Sequence, residues 1–283
     1  MENITHTFDY ELMNTTFQML LPNVEENYAK SASYDCYCKL SIVEDLISMY
    51  RYGSDIAMIN ENRVGGVVKI TDSTYDCLMA AFRASELTGG AIDVCMGEYF
   101  LKAKNDSFFP KIETPRRGKF AFDAENYLIQ KLEEGKIDLG AVGKGYALDR
   151  VAEILTQEWE IENAFVSFGG SSILAMGQDQ NGDDWQINLS EKVSLPIKDS
   201  FVGASGTSVL GAHILDCRTA EVPKNQPFRT WAFCSSGCMA DALSTAFMLL
   251  SKDEINKICK SENMSAAVQE NEEADIEFFN VKK

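Results

Sequence analysis

The sequence predicts an α+β fold built as a single domain. Three observations carry this. Strand-like and helix-like segments follow one another without the regular alternation of a doubly wound sheet. No Pro- or Gly-rich linker divides the 283 residues, and no internal repeat appears. The apolar content of 45%, with 10% aromatic residues, is enough for an ordinary globular core.

In chain order, residues 1–12 read as an N-terminal tail and 13–283 as the domain. Asn14–Leu21 is strand-like. Ser33–Met49 reads as a helix with Leu40, Val43, Leu46 and Ile47 on one face. Val67–Ile70 is a short strand, and Ser73–Thr88 a helix capped by Asp72 or Ser73 and closed by Gly89-Gly90. Lys119–Ile129 holds two short strands and a turn. A helix from about Val142 to Glu158 shows Leu148, Val151, Ala152 and Leu155 on one side. "AFVSFGG", "DWQINLS", "GAHILDC" and "TWAFCS" read as strands, "MADALSTAFMLLS" as a helix and "SAAVQENEEADIEFFN" as a closing hairpin.

Composition excludes several functions. A formal net charge of −17 argues against nucleic-acid or anionic-membrane binding, which need a basic surface. No run of 18 apolar residues is present, so no spanning helix is expected. The opening "MENITHTFDYELMNTTFQML" lacks the basic start of a signal peptide. Eight cysteines without paired CxxC spacing, and only two histidines, do not make a zinc module. Reduced, buried thiols in a cytoplasmic protein are the expectation.

Three stretches carry candidate chemistry. "IDLGAVGKGYALDRVAEIL" puts Asp138, three glycines and Lys144 at the mouth of a helix, where free backbone N–H groups and the helix dipole favour an anion. It matches neither the GxxxxGK[ST] phosphate loop nor the GxGxxG dinucleotide turn. In "MADALSTAF", Asp241 and Thr245 lie four apart on one helix face, with Ser244 between them. These are hard oxygen donors of the kind Mg²⁺ takes when substrate phosphates complete its shell. The plainer reading has Asp241 complementing a helix start and Thr245 bonding back to its own turn. In "GAHILDCRTA", His213 is a core histidine or a general base, and Asp216 with Arg218 a turn with an ion pair.

Taken in register, seven stretches resemble the ApbE family of flavin transferases: "LMNTTFQMLL", "MYRYGSDIAMIN", "LTGGAIDVCMGEYF", "IDLGAVGKGYALDRVA", "FVSFGGSSILAMG", "SGT…AHILDCRTAEV" and "MADALSTAFMLL". The resemblance runs from about Met13 to the C-terminus. It implies one domain of mixed sheets and helices with the flavin site between sub-lobes, and a Mg²⁺-dependent transfer of FMN from FAD to a Thr or Ser of a target flavoprotein, releasing AMP. It also implies metal binding by the Ala141 carbonyl, Asp241 and Thr245, with Ser244 close by. FAD contacts fall by the same route on Met13, Tyr50, Ala91, Ile92, Asp93, Asp138, Lys144 and Leu215, and His213 deprotonates the acceptor hydroxyl. The anion at the Gly-Lys turn is then the FAD pyrophosphate. Four departures stand out: Asn14 for a glycine, Ser171 for an aspartate, Cys217 for a proline and Ala220 for a glycine. The segment between Gly206 and His213 is also short. A hydrolase splitting FAD into FMN and AMP, and a non-catalytic FAD binder, stay open as alternatives.

Overall fold

The structure, a computed structural model, describes residues 4–106, 117–207 and 214–281, and only the backbone over 102–106. Strand β1 (Thr5–Leu12) turns back into β2 (Thr15–Pro22) through Met13 and Asn14, both at positive φ (52° and 59°). That is the geometry of a two-residue hairpin whose twist matches its strands. Asparagine tolerates this conformation and methionine does not, so Met13 is held there against its preference. The segment read as a tail is thus mostly a sheet strand, its alternating Thr/His/Thr/Phe/Asp/Tyr/Glu/Leu pattern paired residue for residue with β2.

Helix α1 (Glu26–Ile47) begins well before the predicted Ser33, capped by Glu25. The short helix α2 (Asp55–Glu61), which the sequence reading missed, is capped by Ser54. After β3 (Val67–Lys69), helix α3 (Asp72–Leu87) takes Thr71 as its cap. Helix α4 (Gly97–Asp106) follows, and then β4 (Lys119–Asp123) and β5 (Leu128–Glu133) form a hairpin. Helix α5 (Gly143–Glu153) ends in a π turn over Ile154–Glu158. Strands β6 (Ala164–Phe168), β7 (Ser172–Met176), β8 (Trp185–Asn188), β9 (Ser194–Ile197), β10 (Ser200–Gly206) and β11 (Arg229–Cys234) lead to α6 (Gly237–Phe247). Helix α7 (Lys252–Ser261) and the hairpin of β12 (Ser265–Gln269) and β13 (Glu277–Phe279) close the chain.

The main sheet has eight strands in the order β1-β2-β6-β7-β10-β11-β12-β13, with antiparallel neighbours throughout. A small sheet, β3-β5-β4, stands apart from it, and β8–β9 forms a third. This is the mixed α+β domain the sequence predicts. Residues 214–217 of the predicted "GAHILDC" strand are not a strand. They form a turn with Asp216 bridged to Glu221, because Ile214 and Leu215 pack against a cleft wall instead of joining a ladder. The rest of that stretch lies outside the described residues.

Two large apolar clusters divide the molecule. One sits between the main sheet and α1, α5, α6 and α7, and contains Phe17, Phe168, Leu243 and Phe247. The other joins the end of α1 to α2, α3 and the small sheet through Ile56, Leu78, Ile129 and Ile137. Met13 and Ile92 touch both. The two lobes meet along that line, and the cleft opens there.

Candidate active site

The resemblance's "SDIAMIN" residues turn out to brace the cleft, not line it. Buried Asp55 accepts from the backbone N–H and hydroxyl of Thr71 (2.8 and 2.7 Å) and so fixes the start of α3. Asn60 donates to Ile137 O (2.9 Å) and accepts from Ile137 N (2.7 Å). This pair of bonds pins the chain where the Gly-Lys turn begins.

That turn departs from the expected anion cradle. Gly140 N–H is taken by Asp138 Oδ1 (2.9 Å), Val142 and Gly143 N–H by Leu139 O (3.0 and 2.8 Å), and Gly145 N–H by Asp241 Oδ2 (2.7 Å). The reading of free N–H groups is therefore corrected: most are satisfied internally, and Lys144 is the group left to meet an anion as a point charge. Glycine serves packing here. A Cβ on Gly145 would strike Gly237 O, and one on Gly237 would strike Gly145 O, so α5 and α6 cross backbone to backbone.

Two carboxylates lock that crossing. Asp149 of α5 accepts from Gly237 N (2.6 Å), Cys238 N (2.9 Å) and Ser236 Oγ (3.1 Å), capping α6 from outside. Asp241 of α6 returns the arrangement by accepting from Gly145 N in the first turn of α5. Each acid faces the positive end of the partner helix. Asp149 was not singled out from sequence, although its place in "GYALDRVA", one turn after Gly145, was the available signal.

Asp241 is 6% exposed, and burial pushes its carboxyl up to about 6, with the Lys144 charge and the Gly145 N–H working the other way. Among the described residues no ion pair neutralises it. Ser172 Oγ on β7 faces it close enough to ease its charge, yet falls outside hydrogen-bonding geometry and has no other partner. A buried carboxylate eased only by the nearby Lys144 charge and one backbone N–H, beside an orphaned hydroxyl, would gain from a bound cation. Thr245 Oγ1, four residues on, lines the cleft and bonds back to Asp241 O (3.2 Å), as the plainer reading expected. Ser244 is 1% exposed and also donates to Asp241 O (2.9 Å), so it supports this corner from beneath. The donors present fit a hard divalent ion.

The cleft is about 780 Å³, within the usual range of roughly 300–1,000 Å³ for small-molecule sites. Its walls include Met13, Tyr50, Ile92, Asp93, Asp138 and Leu215, with Ala141, Lys144 and Thr245 at the polar end. Ala91 is wholly buried behind the wall instead of facing the cleft. Tyr50 stands at the mouth with 58% of its surface exposed. His213 lies outside the described residues.

The departing residues have local accounts. Cys217 offers an N–H that a proline lacks, and donates it to Ala91 O (2.9 Å). Arg117 completes this wall, reaching Cys217 O (3.0 Å) and Asp93 Oδ2 (3.5 Å). Ala220 sits at φ 55°, where the family's glycine would be at ease. Asp216 is buried and held by Arg218 through both carboxylate oxygens (2.6–3.1 Å), the turn with an ion pair that the sequence predicts.

Comparison with known proteins places the fold. The ApbE family model matches residues 13–268, and the chain belongs to that family. Among curated relatives, the FAD:protein FMN transferase of Vibrio cholerae is 26% identical over 242 residues, covering 76% of this chain and 72% of that protein. The Haemophilus influenzae protein of the same name is 24% identical over 259 residues, covering 80% and 74%. Of the solved structures, the apo flavinyl transferase ApbE of Pseudomonas stutzeri superposes with a TM-score of 0.84 at 17% identity, covering 99% of this chain and 96% of that one. The Thermotoga maritima ApbE protein gives 0.82 at 23%, covering 98% and 97%.

Proposed function

We propose that this chain is a Mg²⁺-dependent FAD:protein FMN transferase. The observation that carries the reading is buried Asp241, joined by one hydrogen bond to the lysine-bearing turn at the polar end of the cleft, with Thr245 of the same helix lining that end. The names of the relatives support the same activity.

In this reading the Ala141 carbonyl, Asp241 and Thr245 hold the ion, with Ser244 behind them. A Mg²⁺ ion held there would neutralise charge on the pyrophosphate. Lys144 would meet the same phosphates as a point charge. Met13, Ile92 and Leu215 give the flavin an apolar bed, Tyr50 offers a ring face at the mouth, and Asp93 and Asp138 supply polar contacts; Ala91 acts through the carbonyl that fixes Cys217. The acceptor Thr or Ser oxygen of a target flavoprotein forms a bond to the FMN-side phosphorus while the bridging P–O bond breaks. AMP leaves with the bond pair, and the hydroxyl proton passes to His213, a role that rests on the resemblance.

No helix among the described residues is long and apolar enough to cross a membrane. All eight cysteines are unpaired, and a cytoplasmic location would keep them so. The test is incubation with FAD and Mg²⁺, with and without a flavoprotein carrying the acceptor residue. Transfer predicts AMP only when the acceptor is present, together with covalent flavin on it. AMP released equally without acceptor would make the chain a hydrolase, and bound FAD with no AMP in either case a binder.

A further inference from the structure

A third hydroxyl completes the corner of Asp241 and Thr245, and it comes from the main sheet. Gly203 on β10 lies so close to α6 that a Cβ there would strike Ala240 O. This approach carries Ser205, two residues along the strand, against the next turn of the helix. Ser205 Oγ stands 3.0 Å from Ser244 Oγ and 3.2 Å from Thr245 Oγ1, and Ser205 lines the cleft.

Asp241 O is within reach of both the Ser244 hydroxyl (2.9 Å) and the Thr245 hydroxyl (3.2 Å). It also lies where a helical carbonyl takes the N–H four residues on. A carbonyl has two lone pairs, so three donors crowd it. Thr245 Oγ1 keeps two lone pairs whichever acceptor takes its proton, so the acceptor sets the direction in which those lone pairs face. Ser205 Oγ is the other acceptor within reach of that proton, and its own proton can go to Ser244 Oγ.

We infer that Ser205 is a positioning residue that takes the Thr245 proton and turns the Thr245 lone pairs toward the cation. This inference rests on the proposed metal corner and goes beyond it in assigning a role to a residue of β10. It makes the hydroxyl at 205, and not the volume of that side chain, the requirement.

The experiment is titration of the metal-free full chain with Mn²⁺, followed by loss of the free-ion EPR signal, for wild type, Asp241→Asn, Ser205→Ala and Ser205→Thr. Ser205→Ala should bind Mn²⁺ about 5- to 10-fold more weakly, the worth of one hydrogen bond, with a metal-free thermal midpoint no more than about 3 °C lower. Ser205→Thr should bind like wild type. Equal affinity of wild type and Ser205→Ala, with Asp241→Asn weakened, would overturn the role of Ser205 alone. Equal loss in the Ala and Thr variants would overturn it too, by showing that packing matters and not the hydroxyl. No binding by wild type, or equal binding by Asp241→Asn, would overturn the metal corner and this role together.

Discussion

Replacing Asp241 by asparagine should stabilise the metal-free protein above pH 6. Burial raises this carboxyl from an ordinary 3.8 to about 6. Between those values the folded chain holds a proton there that the unfolded chain has lost. Stability therefore falls as pH rises through that window, and stays lower above it. A gap of about two pH units corresponds to about 3 kcal/mol. Asparagine keeps an oxygen for the Gly145 N–H and carries no charge, so it escapes the loss. At pH 7.5 without metal, Asp241→Asn should melt about 6 °C above wild type, at roughly 2 °C per kcal/mol for a chain of this size. At pH 4 the two should melt together. Added Mg²⁺ should raise the wild-type midpoint at pH 7.5 and leave the variant where it was. Differential scanning calorimetry over pH 4–8 reads all of this. A variant less stable than wild type at pH 7.5, or a difference that does not change with pH, would refute the claim that burial of the carboxylate outweighs the Lys144 charge.

Three further outcomes follow from the same structure. Asp149→Ala removes the acceptor of two backbone N–H groups and one hydroxyl at the start of α6, and should cost about 3 kcal/mol in a denaturant melt after relief of carboxylate burial; a loss below about 0.5 kcal/mol would deny it the capping role. Ala220→Gly should stabilise by about 1 kcal/mol, because the alanine is held in the left-handed region; a destabilised variant would mean that its methyl packing outweighs the strain. A thiol reagent at pH 8 should modify Cys38 quickly and the other seven slowly, since those seven are buried and burial pushes the Cys36 and Cys217 thiols up to about 12; rapid loss of more than two thiols from native protein would contradict that packing.

Much of this was legible in the chain. The helices bearing Lys144 and Asp241 were readable from their apolar periodicity, and Asp241 and Thr245 fall on one face as their spacing requires. The cleft between two lobes followed from the resemblance, since no local pattern announces where two clusters will meet. Strand β1 was overlooked although its alternation is regular, because an acidic, polar opening reads as a tail until a partner strand is known. The glycines of the Lys144 turn misled for a physical reason. Glycine signals close approach of something, and the sequence does not say whether that is a phosphate or another backbone. Here Gly145 admits Gly237. Asp149 and Ser205 act across elements distant in sequence, on partners that only folding brings within reach.

In the proposed reaction Asp241 holds the ion at which FAD is cleaved, and the turnover of Asp241→Asn decides whether it does. AMP released from FAD in the presence of an acceptor flavoprotein and Mg²⁺ should fall by at least about 100-fold in the variant, about 2.7 kcal/mol of lost transition-state stabilisation. Partial recovery at high Mg²⁺ is expected, since the remaining ligands are intact. Turnover at the wild-type rate with the same Mg²⁺ dependence would contradict the account and leave Asp241 as no more than the acceptor that joins α6 to α5.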